Sequence, residues 1–255
     1  MVGMQAYLNK LDTILSNLFS KYSSIGDLPG VLLSGGIDSS IISYYVGKTF
    51  PAYHIFSMGT LRTKDKKFID IMTAYLKHDY CWIHLSDETV RENMGTVEQL
   101  LKDVSVPRSL MQMSLAMGYF LIFKEAHKRG VTRVFTGQGP DITFAGYHKY
   151  KSTSDVQAEI MKDLPILAID QKRDTAMAAH FGITLINPYL EKDMVDFALH
   201  VPPGYKIRNG VEKFLLREYA KSIGLPHEIA DRPKKAFQYS TGLQQTVRKY
   251  YNITI

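Results

Sequence analysis

The chain has 255 residues, of which 45% are hydrophobic and 22% are charged, so it can bury a core, and intrinsic disorder and a collagen-like chain are excluded. No apolar run approaches the roughly 18 residues of a membrane helix, and the start of the sequence lacks the pattern of a secretory signal, so we expect a cytoplasmic protein with no membrane partner. The single cysteine, Cys81, excludes an intramolecular disulfide and a cysteine-based zinc site, while the net charge of +6 suits a polyanionic ligand such as nucleotide phosphate, pyrophosphate or RNA.

Apolar periodicity over the first 150 residues predicts alternating helices and strands. In chain order these are a helix over 5–19, a strand over 31–33, a helix over 38–48, a strand over 53–58, a helix over 65–77, a strand over 81–85, a helix over 111–128 and a strand over 133–136. This alternation is typical of a parallel sheet with helices on both faces. The predicted fold class is therefore α/β, with a Rossmann-like parallel sheet flanked by helices.

The second part of the chain has a different pattern, in which only helices are predicted. They cover residues 155–162, 170–181, 192–200 and 211–224. We therefore place a boundary near Lys151. The expected organisation is an α/β region over residues 1–150 and a helical region over residues 151–255, which together form one integrated domain.

A glycine pair follows the first predicted strand, in the segment Ser34-Gly35-Gly36-Ile37-Asp38-Ser39-Ser40. Such a pair lets the backbone turn tightly and present N–H groups, and the helix that follows adds the positive end of its dipole. The alternative is an ordinary strand-to-helix turn in which Asp38 or Ser39 only caps the helix. Three hydroxyls and a carboxylate around a glycine pair favour an anion cradle, with Asp38 able to hold Mg²⁺ against phosphates.

A second glycine-rich turn, Gly137-Gln138-Gly139-Pro140-Asp141, ends the strand predicted over 133–136. It places the Asp141 carboxylate at the carboxyl end of a strand, which is where open α/β sheets bind ligands. Together with Asp38 it would supply two carboxylates for Mg²⁺ on a triphosphate. Taken alone, the segment would also fit a turn with a solvated aspartate.

The first loop resembles the Ser-Gly-Gly-x-Asp-Ser loop that binds pyrophosphate in the N-type ATP pyrophosphatases. Residues 137–147 resemble a segment of the asparagine synthetases and β-lactam synthetases within that group. Similar stretches follow at residues 187–191, 210–217 and 225–237, so the resemblance covers nearly the whole chain. It implies an adenine nucleotide alpha hydrolase-like fold, with ATP and Mg²⁺ as cofactors.

The resemblance also implies roles for individual residues. Lys234 would reach the α-phosphate and act in catalysis with Asp141, and Asp38 and Asp141 would hold the metal ion. The residues implied in ATP and pyrophosphate binding are Leu32, Ser34, Gly35, Gly36, Asp38, Ser39, Ser40, Met58 and Gly137. For Leu32 and Met58 the alternative role is packing in the core. Lys213 and Arg217 lie in the similar stretch over residues 210–217, and the alternative for them is a solvated basic helix face.

The sequence departs from this family at several positions. Gln138 stands where asparagine synthetases have glutamate, and a glutamine side chain cannot act as a general base. Thr184 and Ile186 replace a glutamate and an arginine of the family. Residue 2 is Val2, so no N-terminal cysteine nucleophile is expected, and ammonia would come free or from a separate glutaminase subunit.

The resemblance, taken with these departures, implies an ATP-dependent carbon–nitrogen ligase similar to the asparagine synthetases. It would adenylate a small carboxylate, aspartate being the first candidate, release pyrophosphate and allow ammonia or another amine to displace AMP. Two alternatives are an ATP-binding regulatory protein whose catalysis has decayed and a tRNA-modifying ATP pyrophosphatase. A nucleic-acid partner is not expected, because no appended RNA-binding module is evident, and a homo-oligomer stays open.

Overall fold

A computed structural model describes residues 3–23, 28–61 and 63–251, so Val2 lies outside the described residues. Its strands are β1 (Gly30–Leu32), β2 (His54–Gly59), β3 (Cys81–His84), β4 (Arg133–Phe135), β5 (Thr184–Ile186), β6 (Ile207–Arg208) and β7 (Val211–Glu212). Its α-helices are α1 (Met4–Tyr22), α2 (Ile37–Thr49), α3 (Lys66–Leu76), α4 (Asp87–Asp103), α5 (Leu110–Lys128), α6 (Pro140–Thr143), α7 (Val156–Ala179), α8 (Lys192–His200), α9 (Pro203–Lys206), α10 (Phe214–Ser222), α11 (His227–Ala230), α12 (Phe237–Ser240) and α13 (Leu243–Tyr251). No helix in the described ranges combines the length and the apolar character needed to cross a membrane.

The first five strands form one sheet in the order β3-β2-β1-β4-β5, and every neighbouring pair is parallel. The chain therefore builds the sheet outward from β1 in one direction, and then returns to add β4 and β5 on the other side. The reversal leaves β1 and β4 as neighbours whose following loops run to opposite sides. Such a switch point is the usual ligand site of an open α/β sheet.

Two hydrophobic cores cover the two faces of this sheet. Side chains alternate between the faces of a strand, so Val31 and Leu33 pack in one core while Leu32 packs in the other. The first core is built mainly by α1, α2, α8 and α10, and the second by α4, α5 and α13. The predicted α/β fold with helices on both faces is confirmed.

Local sequence explains the helices that border the sheet. In α1 the buried side chains recur every three or four residues, which gives the helix one apolar face. Helices α4 and α5 begin after Ser86 and Ser109, whose side chains accept the backbone N–H groups of Thr89 and Gln112. The first four predicted strands and the helices predicted between residues 5 and 128 are confirmed within a few residues.

The expectation of helices only beyond Lys151 is wrong. Strand β5 pairs with β4 at the edge of the main sheet, and β6 and β7 form a small antiparallel pair. The two helices predicted over 155–162 and 170–181 form one helix, α7, with Pro165 inside it. The helix predicted from Val211 begins only at Phe214. The division near residue 151 stays a prediction.

Candidate active site

The loops that follow β1 and β4 meet at the switch point of the sheet. After β1 the backbone passes through Gly35 in a left-handed conformation, with φ of 71°, and enters α2. A Cβ atom at Gly35 would lie 2.9 Å from the Arg232 guanidinium and 2.9 Å from the Phe68 Cβ atom. Both its conformation and its surroundings therefore require glycine at this position.

The second loop lies directly against the start of α2. A Cβ atom at Gly137 would lie 2.6 Å from the backbone nitrogen of Ser39 and 2.8 Å from the carbonyl carbon of Asp38. Only a residue without a side chain permits this approach. The two glycine-rich turns predicted from sequence thus form one continuous surface at the end of the sheet.

The serine hydroxyls of the first loop bond to one another and to the backbone. The Ser34 and Ser39 hydroxyls are 3.0 Å apart, and the Ser34 backbone N–H donates to the Ser39 oxygen at 3.1 Å. The Ser39 hydroxyl donates to the Gly36 carbonyl at 3.1 Å. These bonds hold the loop in shape, with the backbone N–H groups at the start of α2 turned toward the carboxyl end of the sheet.

Two carboxylates and two lysines form a compact group beside this loop, which we call the carboxylate–lysine cluster. The Lys213 Nζ atom lies 2.5 Å from Asp38 Oδ2 and 2.6 Å from Asp141 Oδ1. The Lys234 Nζ atom lies 2.5 Å from Asp141 Oδ2. The carboxylates come from the first turns of α2 and α6, which follow β1 and β4, whereas both lysines come from the last 45 residues of the described chain.

Backbone geometry places Lys213 between the two carboxylates. Lys213 has a left-handed conformation, with φ of 54°, and directly precedes α10. A side chain at Gly146 would overlap the Lys213 stem. Lys213 is only 1% exposed, so the alternative of a solvated basic face is wrong for it.

Burial and charge act in opposite directions on these groups. Burial raises the pKa of Asp141, but the Lys213 and Lys234 ammonium groups outweigh it and hold that pKa well below its usual range. Burial lowers the pKa of Lys213, but the two carboxylates raise it above its usual value. Asp141 is therefore a carboxylate and Lys213 an ammonium at neutral pH.

Asp38 and Lys234 have pKa shifts dominated by burial. It raises the pKa of the Asp38 carboxyl despite the opposing charge of Lys213, and lowers the pKa of the Lys234 amine despite the opposing charge of Asp141. The ammonium of Lys234 also lies 4.8 Å from the centre of the Tyr147 ring. Of the two lysines, Lys234 is therefore the one that loses its proton more easily.

Two arginines fix the segment that carries Lys234. Arg232 forms an ion pair with Asp65 and donates to the Ser34 carbonyl at 3.3 Å. Arg217 is 4% exposed and donates to the carbonyl oxygens of Ala230 and Arg232 at 2.7 and 2.9 Å. A solvated face is therefore also wrong for Arg217, which anchors this segment to α10.

The cluster borders a cavity of about 370 Å³, which is within the usual size of small-molecule sites. Of the residues predicted from sequence, those that line it are Leu32, Ser34, Gly36, Asp38, Ser39, Gly137, Asp141 and Lys234. Gly35, Ser40 and Met58 do not line it; Ser40 and Met58 are 0% and 2% exposed. The structure thus brings most of the predicted positions together, while their roles stay predictions.

A second polar group borders the same cavity, and Gln138 is the member of it that was singled out from sequence. Gln138 donates from Nε2 to Asp170 Oδ2 at 3.1 Å, and Asp170 Oδ1 accepts from Arg173 at 2.6 Å. The spacing of Asp170 and Arg173 is that of an ordinary ion pair on a helix surface, which gives no signal that both are buried. Packing of α7 against α5 buries them.

The carboxylates are suited to a metal ion that is also held by a phosphate. Among the described residues no group of three or more histidine, cysteine, aspartate or glutamate side chains could hold a metal alone. Asp38 Oδ1 is buried and has no hydrogen-bond partner. Mg²⁺ commonly takes one or two protein carboxylates together with substrate phosphates, and Asp38 and Asp141 fit that requirement.

Comparisons with known proteins identify a family model and several curated relatives that match most of the chain. The family model described as asparagine synthase matches residues 27–172 and 156–255. A putative asparagine synthetase (glutamine-hydrolyzing) of Methanocaldococcus jannaschii is 25% identical over 278 residues, covering 94% of this chain and 50% of the relative. Asparagine synthetase B (glutamine-hydrolyzing) of Escherichia coli is 28% identical over 252 residues, covering 91% and 44%.

Other relatives and a solved structure complete the comparison. The asparagine synthetase (glutamine-hydrolyzing) of Gallus gallus is 28% identical over 239 residues, covering 88% of this chain and 41% of the relative. The chain therefore spans half or less of the length of these curated relatives. Among solved structures, NMN synthetase from Francisella tularensis aligns over 100% of this chain and 98% of that chain, with a TM-score of 0.36 and 12% identity.

Proposed function

Because the chain belongs to the asparagine synthase family, we propose that it is an ATP-dependent ligase that joins a carboxylate to an amine. It binds ATP with Mg²⁺, transfers AMP to the substrate carboxylate and releases pyrophosphate. Ammonia or another amine then attacks the acyl-adenylate and displaces AMP. In this proposal the nitrogen comes as free ammonia or from a separate glutaminase subunit.

The single observation that carries this proposal is the carboxylate–lysine cluster beside the glycine loop. The loop supplies backbone N–H groups and the Ser34 and Ser39 hydroxyls to the β- and γ-phosphates. Asp38 and Asp141 would hold Mg²⁺, which supplies charge neutralisation to the triphosphate when it is bound. All of these groups lie at the edge of the sheet where the carboxyl ends of β1 and β4 meet.

Lys234 has the properties of a cation that acts on the α-phosphate. It is half-buried at the cavity wall, and its ion-pair partner, Asp141, is a carboxylate that the metal would also use. A metal ion held by Asp141 would compete with Lys234 for this carboxylate, which would leave the Lys234 ammonium available to the nucleotide. A cation placed at the phosphorus stabilises the negative charge that develops on its oxygens during transfer.

Gln138 does not act as the base in this proposal. Its amide donates to Asp170 and its carbonyl oxygen has no ability to take up a proton at neutral pH. The attacking amine must then lose its proton to solvent or arrive as neutral ammonia. We therefore expect the rate of amide formation to rise with pH above neutrality, as the neutral fraction of the amine grows.

The test is pyrophosphate release from Mg·ATP with a panel of carboxylic acids, with and without ammonium at pH 8. Lys234→Ala should lower release at least 100-fold while ATP binding, measured by calorimetry, changes less than about three-fold. Lys249→Ala is the matched control, because Lys249 is an exposed lysine on α13 that pairs with Asp87 at the start of α4. Silence of the wild-type chain across the panel with ATP binding intact would favour the regulatory alternative.

A further inference from the structure

One side of the cavity is lined by Asp170 and Arg173, which belong to a buried group that we call the guanidinium cluster, formed by Gln112, Asp170, Arg173 and Asp174. Arg173 is 1% exposed and donates to Asp170 Oδ1 at 2.6 Å and to Asp174 Oδ1 at 2.7 Å. It also donates to Gln112 Oε1 at 2.7 Å. Two carboxylates thus face one guanidinium, so the cluster carries no positive charge toward the cavity.

The cavity wall next to this cluster includes aliphatic side chains as well as the rings of Tyr119 and Tyr147. Gln112 lies in the first turn of α5, and Met111 and Leu115 on either side of it line the cavity. Ile166 lies one turn before Asp170 on α7 and lines the cavity too. A ligand that reaches Gln138 and Asp170 therefore lies against aliphatic side chains.

The other cations of the cavity already have partners. Lys213 and Lys234 pair with Asp141, and Arg232 pairs with Asp65. Arg217 is held by backbone carbonyl groups. Among the described residues that line the cavity, this leaves Lys235, whose side chain is exposed.

A second carboxylate on the substrate would therefore lack a buried cation. Placed against the apolar wall, it would lose its hydration and approach the carboxylate of Asp170. Two negative charges that approach each other without water repel strongly, and proteins commonly use such repulsion to exclude unsuitable ligands. An aliphatic group at the same place would bury against Met111, Leu115 and Ile166 without this cost.

We infer that the acceptor is a monocarboxylate with an apolar body, and that Asp174 helps to exclude dicarboxylates because, with Asp170, it gives the guanidinium cluster a net negative charge. This inference rests on the proposed function, since it specifies the substrate of the same site. It assigns Met111, Leu115 and Ile166 to the aliphatic part of the acceptor. It assigns Asp174 as a positioning residue that never touches the substrate.

The first experiment compares three acids in the pyrophosphate-release assay: aspartate, leucine and 4-methylpentanoate, which is leucine without its amino group. We expect kcat/KM for leucine or 4-methylpentanoate to exceed that for aspartate at least ten-fold, as a matched aliphatic pocket allows. The two aliphatic acids distinguish an acceptor that needs an amino group from one that does not. Aspartate used better than both would overturn the inference and leave the proposed function standing.

Release with none of the three acids, while another acid of the panel supports it, would overturn this inference alone, whereas silence across the whole panel with Mg·ATP still bound would contradict the proposed function as well. A matched pair of variants tests the wall itself. Met111→Lys places a cation at the cavity, where Met111 is 46% exposed, and should raise the aspartate-to-aliphatic ratio of kcat/KM at least three-fold. Met161→Lys changes a methionine that is 52% exposed and does not line the cavity, and should leave the ratio unchanged.

Asp174→Asn provides an independent test, because asparagine can still accept the Arg173 Nε–H group, while the cluster changes from net negative to neutral with Asp170 as its remaining carboxylate. The ratio should again rise at least three-fold, through KM for aspartate and not through kcat for the aliphatic acid. An equal fall in kcat for every acid would indicate a merely structural role. An unchanged ratio in both Met111→Lys and Asp174→Asn would overturn the inference.

Discussion

Replacing Lys213 with methionine removes the cation that Asp38 and Asp141 share. The substitution keeps an unbranched side chain of similar length, so the packing of the buried stem is largely preserved. What disappears is the ammonium, which lies 2.5 Å from one carboxylate and 2.6 Å from the other. Lys213→Met therefore isolates the charge at the centre of the candidate site.

The expected loss of stability follows from the surroundings of the two carboxylates. Removing one partner of a fully buried ion pair costs about 3–5 kcal/mol. Asp141 is 35% exposed along its side chain and keeps Lys234 as a partner, so water and that lysine recover part of the loss. We expect the free energy of unfolding to fall by about 2–4 kcal/mol.

Urea unfolding followed by circular dichroism at pH 7.5 measures this loss in the absence of divalent cations. The matched control is Lys221→Met in α10, the helix that Lys213 directly precedes, because Lys221 is 34% exposed and pairs with Glu218 and Asp231 near the surface. Exposed pairs contribute little, so the control should lose less than about 1 kcal/mol. Millimolar Mg²⁺ should restore part of the stability of Lys213→Met and none of the control's.

The pH dependence gives a second criterion. In the wild-type chain the pKa of Asp141 is held low, so its contribution to stability is present above the unfolded value near 3.9 and is lost as pH falls below it. In Lys213→Met the carboxylates of Asp38 and Asp141 no longer share a cation, which favours protonation of one of them. As pH falls, this protonation removes their repulsion and stabilises the variant. The stability difference should therefore narrow between pH 7.5 and 4.5. A loss no larger than that of Lys221→Met, or a difference that stays constant over this range, would refute the reasoning.

Two further substitutions test the buried carboxylate of α7 and the contact between the glycine turns. Burial raises the pKa of Asp174 to about 6, so its contribution to stability is present below pH 4 and is lost as pH rises through 6. The wild-type free energy of unfolding in urea should therefore decline by about 2–3 kcal/mol between pH 4 and 7, and Asp174→Asn should remove this decline. Asp196→Asn, on an exposed helix face, is the control. Gly137→Ala forces a methyl group onto the start of α2 and should cost about 1–3 kcal/mol and weaken ATP binding. Gly95→Ala, where the added methyl group meets open space inside α4, should instead raise stability by about 0.5–1 kcal/mol in thermal unfolding; equal effects of the two alanines would contradict the proposed contact.

Of the strands that sequence reasoning found, β1, β2 and β4 are buried apolar runs that end at or shortly before a glycine residue, whereas β3 is only partly buried. β1 and β4 are fully buried and lead straight into Gly35 and Gly137, so their pattern is strong. β5 is three residues long, begins with the exposed Thr184 and lies at the edge of the sheet. Its side chains are exposed or half-buried and no glycine turn follows it, so only pairing with β4 makes it a strand.

The parts of the site that sequence reasoning missed depend on long-range packing. Lys213 was read as part of a helix face, and nothing in its immediate neighbours indicates the left-handed backbone that turns it inward. Asp170, Arg173 and Asp174 have the composition of a solvated helix turn. Their burial comes from α5, some 60 residues earlier in the chain, whose Gln112 meets Arg173.

The pairing of Asp38 with Lys213 joins residues that are 175 positions apart, and the contact of Arg232 with the Ser34 carbonyl spans 198. Contacts of such separation close late in folding, because the entropy of the long intervening loop opposes them. At about 5–20 residues per second, a ribosome takes roughly 4–14 s to add the stretch between Asp141 and Lys213. During that interval the nascent sheet has both carboxylates and neither lysine. The nucleotide site therefore forms only after the last turns of the fold are in place, and ATP would select finished molecules over partly made ones.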